Sequence, residues 1–201
     1  MTAELVEDPG FVRMPLPKGR EWTWADLQQI PDDDGHRYEI VDGSLHVSPG
    51  PSRPHQIAAG RLRDLLLAAA PPDVEVLEAI DVEMPHNVFQ PDVVVLPAHL
   101  AYEFGGALKP DQVLLAVEVV SPSSRRMDRM VKPSVLAEHG VRAYWRVELT
   151  GPGTPAVVVH ELSDGVDREV RTVRAGESVV ADVPFAVEVR PAELAGPRRR
   201  D

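Results

Sequence analysis

Residues 113–132, VLLAVEVVSPSSRRMDRMVK, join an apolar, strand-like run to a polar and arginine-rich segment. Glu118 lies inside the apolar run, where a carboxylate that is buried without a partner is strongly disfavoured. A buried carboxylate therefore shifts its pKa, pairs with a cation or binds a metal ion. The stretch predicts a buried strand over residues 113–120, a helix between residues 123 and 139, and a functional role for Glu118.

Composition limits the classes of protein to which the chain can belong. Its 201 residues are enough for one domain with a sizeable core, and the absence of cysteine excludes disulfides, thiolate metal sites and cysteine catalysis. The net charge of -11 argues against a general nucleic-acid coat protein, because phosphate binding depends on lysine and arginine. A nuclease stays open, since a bound divalent metal supplies local positive charge. The start of the chain lacks the pattern of a signal peptide and no apolar run is long enough to span a bilayer, so we expect a cytoplasmic protein.

The chain divides by composition into an arm, a domain and a tail. Residues 1–20 are spaced by proline and glycine without periodicity, which predicts a flexible arm. Residues 196–201, GPRRRD, include three arginines and predict a solvated basic tail. The remaining residues, 21–195, are expected to form one domain.

Local patterns predict the elements of the first half of this domain. TWADLQQI is typical of a short helix capped by Thr23, and RYEIVDGSLHVSP of a hairpin that turns at Asp42-Gly43. PSRPHQIAAGRLRDLLLAAAPP is the clearest helix, which Pro71 and Pro72 end. Its apolar residues recur at steps of three and four: Ile57, Ala58, Leu62, Leu65, Leu66 and Ala69.

The second half reads mainly as strands. DVEVLEAIDVEMP predicts one half-exposed strand followed by a turn at Asn87, and PDVVVLP a short buried strand. In the helix expected after Glu118, Pro133 predicts a kink or the helix start, and Gly140 suits the C-terminal cap. VRAYWRVEL predicts a further strand, short strands follow from Pro155, and RPAELAG adds a helical turn. This order predicts an α/β or α+β domain, with a mixed central sheet flanked by helices and a β-rich C-terminal extension.

Three acidic residues lie in strand-like contexts: Glu39 in YEIV, Asp92 at the start of PDVVVLP, and Glu118. Taken singly, Glu39 can be an exposed residue of a hairpin and Asp92 a turn residue, without any function. Because side chains alternate along a strand, Asp92 and Glu118 can meet on one face if their strands are neighbours. Two converging carboxylates repel each other unless a hard divalent cation with oxygen ligands lies between them. We therefore predict a site for Mg²⁺ or Mn²⁺.

The segment after Glu118 offers cations to such a site. Lys132 can orient an attacking water or offset charge in a transition state, whereas alone it reads as a solvated helix residue. The three arginines of the segment either contact phosphate or form a solvated basic face: Arg125, Arg126 and Arg129. His55 is a capping or packing residue, or a neighbour of the acidic cluster. Zinc-binding H-x-x-x-H, G-x-S-x-G and phosphate-loop motifs do not occur.

Several short motifs together resemble one known family. YEIVDGSL, HQI from His55, PDVVVLP, VEVVSPSS, Asp128 followed by Lys132, and GVRAYW occur in the order found in the Uma-two family. These bacterial proteins, often labelled restriction endonucleases, belong to the PD-(D/E)XK nuclease superfamily, and the resemblance covers residues 22–194. It implies a restriction-endonuclease-like core and an acidic metal site.

The resemblance also implies a role for each matching residue. Asp92 corresponds to the acid of the "PD" element, Glu118 to that of the "E-x-K" element, and Glu39 to an additional upstream acid. Lys132 resembles the relocated lysine that this family carries on the following helix, because Val120 occupies the usual lysine position. By this resemblance we expect catalytic residues Lys132, Asp92, Glu118 and Glu39, the three acids as metal ligands, DNA as substrate, and a homodimer. The alternative, favoured by the negative charge and Val120, is a non-catalytic binding or assembly module that keeps the nuclease fold.

Overall fold

A computed structural model describes residues 17, 19–30, 35–163 and 165–197 of the chain. Nearly all of the predicted arm, and the end of the predicted tail, lie outside these residues. The described residues contain no helix long and apolar enough to cross a membrane. In chain order the elements are α1 (Trp24–Leu27), β1 (His36–Val41), β2 (Ser44–Pro49), α2 (Arg53–Ala69), β3 (Val74–Glu78), β4 (Val82–Met84), β5 (Asn87–Phe89), β6 (Val93–Pro97), α3 (Ala98–Ala101), β7 (Leu115–Val120), α4 (Lys132–Glu138), β8 (Ala143–Glu148), β9 (Ala156–Ser163), β10 (Val166–Arg174), β11 (Val179–Ala181), β12 (Val187–Val189) and α5 (Pro191–Leu194).

Strands from both halves of the chain form a central six-stranded sheet in the order β10-β9-β8-β7-β6-β3. The β7–β8 pair is parallel and the other pairs of this sheet are antiparallel, so the sheet is mixed, as predicted. β9 and β10 are eight and nine residues long, whereas short strands were expected after Pro155. They extend the central sheet, while β11 and β12 pair separately.

A smaller sheet in the order β2-β1-β5-β4 contains the predicted hairpin. Its turn residues Asp42 and Gly43 have φ angles of 46° and 71°. Positive φ at both positions suits the two-residue turn whose twist matches a hairpin, which favours glycine there. The predicted first helix is confirmed as α1, and the Asp26 carboxylate accepts hydrogen bonds from the backbone N–H and hydroxyl of Thr23.

Helix α2 covers one face of the central sheet. Its buried side chains belong to the stripe His55, Ala58, Ala59, Leu62 and Leu66, and the apolar ones pack against strand residues such as Val93, Val117 and Trp145. The predicted helix is confirmed, but Ile57 and Ala69, expected on its apolar face, are exposed. Ile57 lies five residues before Leu62, which is about 140° around the helix, and Ala69 is the last helical residue.

Two predictions around residues 74–87 were wrong. The expected single strand is divided into β3 and β4, which belong to different sheets, and Ala79 between them has a φ of 54°. The alternation of apolar and polar residues is the same before and after Ala79. The alternation therefore did not indicate that β3 and β4 pair in different sheets. Asn87 is not the turn residue: His86 has the positive φ of 61°, and Asn87 begins β5 with its side chain buried.

The helix that follows β7 is not uniform. Residues Met127–Val131 form one π-helical turn, and α4 begins at Lys132 with Pro133 in its first turn. Proline lacks a backbone N–H, and the π-helical turn before Pro133 carries the helical backbone from residue 125 into α4 without a break. The structure thus confirms that the regular α-helix starts near Pro133, and Gly140, with a φ of 90°, follows its end.

The packing of α2 leads to a stability prediction. We expect Leu62→Ala to lower the free energy of unfolding by about 2–5 kcal/mol, because it leaves a cavity beneath the helix. Leu67→Ala is the matched control on the same helix, since Leu67 is 39% exposed, and should cost less than about 1 kcal/mol. Urea unfolding followed by circular dichroism measures both, and equal losses would contradict the assignment of the buried face.

Candidate functional site

Strand pairing brings two of the predicted acids together. β6 and β7 are antiparallel neighbours, with Val94 opposite Ala116. Continuing that register by two residues places Asp92, just before β6, opposite Glu118, on the same face of the sheet. Both side chains are buried.

Asp92 is surrounded by donors. Its Oδ1 lies 2.7 Å from Nη2 of Arg37, and its Oδ2 lies 3.0 Å from Nε2 of His55. The backbone N–H of Val119 also donates to Oδ2, at 2.7 Å. Burial by itself raises the pKa of Asp92, but His55, Arg37 and this N–H outweigh it and lower the pKa to about 2. Asp92 is therefore ionised at neutral pH.

Lys132 reaches the acidic cluster from the first residue of α4. Its Nζ lies 2.6 Å from Oε1 of Glu118, 2.8 Å from Oε1 of Glu39 and 3.6 Å from Oδ1 of Asp128. Burial lowers the pKa of Lys132, but these carboxylates, Glu118 foremost, raise it overall, so the amine stays protonated. The structure thus brings together all four residues predicted for the site, Glu39, Asp92, Glu118 and Lys132.

The three acids around Lys132 share a single ammonium. Burial raises the pKa of Glu118 well above its usual range, and Lys132 opposes this rise only in part because Asp128, Asp92 and Glu39 lie close by. Glu39 is held separately, since its Oε1 also accepts the backbone N–H of Gln90 at 2.8 Å. A cluster with this surplus of acids retains protons on some of them or attracts a further cation.

Sequence reasoning gave no role to Asp128, although its carboxylate is fully buried beside Lys132. Burial raises the pKa of Asp128, whereas Lys132 and the nearby Ser124 hydroxyl lower it. The Ser124 hydroxyl does not meet hydrogen-bond geometry with this carboxylate. Neither oxygen of this carboxylate has a hydrogen-bond partner among the described residues. The spacing of four residues between Asp128 and Lys132 on a helix was the available signal.

Arg37 was also missed. It lies two residues before Glu39 on β1, so the two side chains share a face of that strand, and this spacing could have indicated it. His55, for which capping, packing or a place beside the acids had been left open, contacts Asp92. Its Nδ1 is buried without a partner among the described residues.

The arginines after Glu118 differ in their contacts. Arg129 donates two hydrogen bonds to Glu148, at 2.7 and 2.8 Å, and so stabilises the π-helical turn. Arg125 donates to the Thr150 hydroxyl at 3.3 Å. The Arg126 side chain makes no hydrogen bond or ion pair with the described part of the chain and is exposed.

A pocket of about 380 Å³ opens over the cluster. Residues 46–52 of β2 and the turn after it form one wall, and residues 121–124 after β7 form the other. The titratable lining residues are Arg37, Glu39, His46, His55, Glu118, Asp128 and Lys132. Asp92 lies behind Arg37 and His55, both of which it contacts.

The carboxylate oxygens of the cluster are the type of ligand that a hard divalent cation prefers. Carboxylate oxygens are the ligands preferred by Mg²⁺ and Mn²⁺, and Mg²⁺ usually takes only one or two of them and keeps several waters. The Asp128 carboxylate, buried without a hydrogen-bond partner, is the orphaned group that such a cation would satisfy. Within the described residues, however, no three histidine or acidic side chains form a ready-made metal shell. Lys132 is the cation that Glu39, Glu118 and Asp128 contact.

The sequence profile of the Uma2 family, whose description is "Putative restriction endonuclease", matches residues 24–193. The chain belongs to the Uma2 family. The crystal structure of a putative nuclease belonging to DUF820 from Anabaena variabilis is similar to this Uma2 chain, with a TM-score of 0.65 and 14% sequence identity. The match covers 85% of this chain and 95% of that one, so the two share a fold. No curated protein matches the chain. The family and the fold implied by the sequence motifs are thus confirmed.

Removing the shared ammonium should be costly. We expect Lys132→Met to lower the free energy of unfolding by about 3–5 kcal/mol at pH 7, because it leaves buried carboxylates without their cation. The pKa of Glu118 and of Asp128, already raised, then rises further. An acid whose pKa is higher in the folded state loses stability as the pH rises above its unfolded value, so the deficit should be larger at pH 8 than at pH 5.

The matched control for this prediction is Lys109→Met. Lys109 forms an ion pair of 2.6 Å with Glu83, but its side chain is 57% exposed. We expect it to change stability by no more than about 1 kcal/mol. Urea unfolding at the two pH values measures both variants. A Lys132→Met deficit that does not depend on pH would show that the carboxylates do not depend on this lysine.

The low pKa of Asp92 leads to a second prediction. A carboxylate whose pKa falls from its ordinary 3.8 to about 2 on folding contributes stability above pH 3.8 that is lost as the pH falls through 2. The Asp92→Asn variant lacks this contribution, so its free energy of unfolding is lower than that of wild type. This difference should shrink by about 1 kcal/mol when the pH is lowered from 6 to 3. Asp111→Asn, at an exposed position, is the control. A deficit that stays constant in urea unfolding would contradict the assignment.

Proposed function

We propose that this Uma2 protein is a divalent-metal-dependent phosphodiesterase that hydrolyses DNA. One observation carries the proposal: Glu39, Asp92, Glu118 and Lys132, which lie in separate elements, converge beneath one pocket. Burying this many charges does not in itself favour folding, and strongly shifted pKa values inside a pocket are typical of functional sites. Membership of a family of restriction-endonuclease type supports the reaction class.

Each of these residues has a role in the proposal. Asp92 and Glu118 hold Mg²⁺ or Mn²⁺, with Glu39 as a further ligand, directly or through water. The cation, when bound, supplies an activated water and offsets charge on the phosphate. Lys132 orients the attacking water and stabilises negative charge that develops on the phosphate. Arg37 and His55 hold the Asp92 carboxylate in a fixed orientation.

The charge count of the cluster supports a divalent ion. Glu39, Asp92, Glu118 and Asp128, when all are ionised, carry four negative charges, and Arg37 and Lys132 carry two positive ones. The surplus of two negative charges equals the charge of one Mg²⁺ or Mn²⁺. Burial is the main cause of the raised pKa of Glu118, and a cation that binds there removes the mutual repulsion that adds to it.

A second candidate function is a non-catalytic binding or assembly module. The observation that favours it is that the acids already have partners: Arg37 and His55 for Asp92, and Lys132 for Glu118. Calorimetric titration with Mn²⁺ discriminates between the two functions. A binding heat that disappears in Glu118→Ala supports the nuclease, and the absence of any heat in wild type supports the module.

We further propose that the protein is a homodimer. β10 is an outer strand of the central sheet, and an outer strand presents unpaired backbone groups to a second chain. Val166 and Val170 on this strand are about half exposed, which adds apolar surface at the same edge. Light scattering at micromolar concentration tests the proposal, and a monomer mass would contradict it.

The test of the enzymatic proposal is a DNA cleavage assay with Mg²⁺ or Mn²⁺. We expect Asp92→Ala and Glu118→Ala each to lower the cleavage rate by about a hundredfold or more, because each removes a ligand and leaves an unpaired cation. Asp111→Ala, at an exposed acidic position, is the matched control and should cleave as wild type does. Cleavage that survives both site substitutions unchanged would overturn the proposal.

A further inference from the structure

The ammonium of Lys132 shares its carboxylate partners with the proposed metal site. Its Nζ lies 2.6 Å from Oε1 of Glu118 and 2.8 Å from Oε1 of Glu39, and the proposed function assigns both acids to a divalent cation. Lys132 is 2% exposed, so water cannot replace a carboxylate that it loses. The ammonium therefore needs another partner once these acids bind a cation.

The ammonium and a divalent cation compete for Glu118. Two positive charges on one carboxylate repel each other, and the repulsion is strong where water is excluded. Within the described residues no three histidine or acidic side chains form a metal shell, and Glu118 and Glu39 both contact Lys132 instead. Binding of a cation by these acids therefore requires the contact between Lys132 and Glu118 to be given up.

Asp128 is the free acceptor nearest to this ammonium. Its Oδ1 lies 3.6 Å from Nζ of Lys132, which is too far for a hydrogen bond. In the part of the chain that the structure describes, the two oxygens of this carboxylate are the only buried side-chain oxygens without a hydrogen-bond partner. The nearby Ser124 hydroxyl bonds to the Ser121 hydroxyl instead, at 2.8 Å. A small movement of the flexible lysine side chain brings the ammonium to Asp128.

The backbone holds Asp128 beside Lys132. The two residues are four positions apart, Asp128 in the π-helical turn and Lys132 at the start of α4. The Tyr144 hydroxyl donates to the backbone carbonyl of Asp128 at 2.6 Å, and the next residue, Arg129, pairs with Glu148. The Asp128 carboxylate is thus fixed in place, whereas the lysine side chain can change partner.

We propose that Asp128 is a positioning residue that receives the Lys132 ammonium when a divalent cation binds Glu118. Lys132 then contacts Glu118 and Glu39 when no cation is bound, and Asp128 when one is bound. The buried carboxylate of Asp128 is satisfied by Lys132 and not by the cation itself. The ammonium stays close to the cation, where it can orient a water and offset negative charge. This inference rests on the proposed function and adds a residue to its site.

Calorimetric titration with Mn²⁺ tests the role of Asp128. We expect Asp128→Asn to weaken Mn²⁺ binding about tenfold or more, because the displaced ammonium is left buried without an anionic partner. Asp81→Asn is the matched control, since Asp81 is a half-buried acid close to Glu39 that forms no ion pair with Lys132. The control should change the affinity by less than about threefold. Equal affinities of Asp128→Asn and wild type would show that the ammonium does not need this acid.

A double-mutant cycle separates this role from direct metal ligation. In a Lys132→Met background there is no ammonium to receive, so adding Asp128→Asn should change the Mn²⁺ affinity by less than about threefold. If Asp128 were itself a metal ligand, the substitution would weaken Mn²⁺ binding by the same factor in both backgrounds. That second result overturns the inference.

Nuclear magnetic resonance of the ammonium gives a readout that does not require Lys132→Met to fold. The chain has three lysines, and Lys132 is buried whereas Lys109 is exposed. Because a buried ammonium exchanges its protons slowly with water, protein labelled with ¹⁵N-lysine should show the Lys132 signal. With saturating Mg²⁺ this signal should shift and persist in wild type, but disappear in Asp128→Asn. A wild-type signal that Mg²⁺ leaves unchanged, or removes, is incompatible with the inference.

Failure of this inference is distinguishable from failure of the proposed function. Mn²⁺ binding that Asp128→Asn weakens as expected, without cleavage of DNA by wild type, overturns the nuclease and keeps the role of Asp128. DNA cleavage together with Mn²⁺ binding that Asp128→Asn leaves unchanged keeps the nuclease and overturns that role. The absence of Mn²⁺ binding in wild type overturns both.

Discussion

The contact on which much of the structure depends is the buried ammonium of Lys132 among three carboxylates. Glu39 comes from β1 of the small sheet, Glu118 from β7 of the central sheet, and Asp128 from the π-helical turn. One charged group thus joins two sheets and a helix. The ring of Phe89 lies 5.8 Å from the same Nζ, which adds a favourable cation–π contact. Each of these groups would be costly to bury alone, so they tolerate burial only together.

Two acids on neighbouring strands have opposite acid strengths because their surroundings differ. Asp92 receives two charged or polar side chains and a backbone N–H, and its pKa is low. Glu118 is fully buried, receives only a share of Lys132 and has other acids close by, so its pKa is high. Paired acids whose pKa values are separated by their environment are a recurring feature of catalytic sites. The arrangement keeps Asp92 ionised at neutral pH and favours the protonated form of Glu118.

A second set of contacts keeps the π-helical turn in place. The Tyr144 hydroxyl donates to the backbone carbonyl of Asp128 at 2.6 Å, and Arg129 pairs with Glu148. Arg146 connects Glu148 to His160, whose Nε2 lies 2.8 Å from Nη1 of that arginine. These residues of β8 and β9 hold the segment that carries Asp128 and Lys132 against the sheet. The C-terminal strands therefore support the site without lining its floor.

The sequence by itself determined the local features: the hairpin at Asp42-Gly43, the long helix, the buried strands around Asp92 and Glu118, and the ordered motifs of the family. Period-two and period-3.6 patterns and turn chemistry are local, so they can be read without knowing partners. Tertiary structure alone decided that residues 74–84 serve two sheets, that Arg37 and His55 contact Asp92, and that Asp128 joins the cluster. It also decided that Lys132 reaches Glu118 despite Pro133, through the π-helical turn before it. These outcomes depend on which distant residues meet, and on the cost of burying charge without a partner, neither of which a local pattern contains.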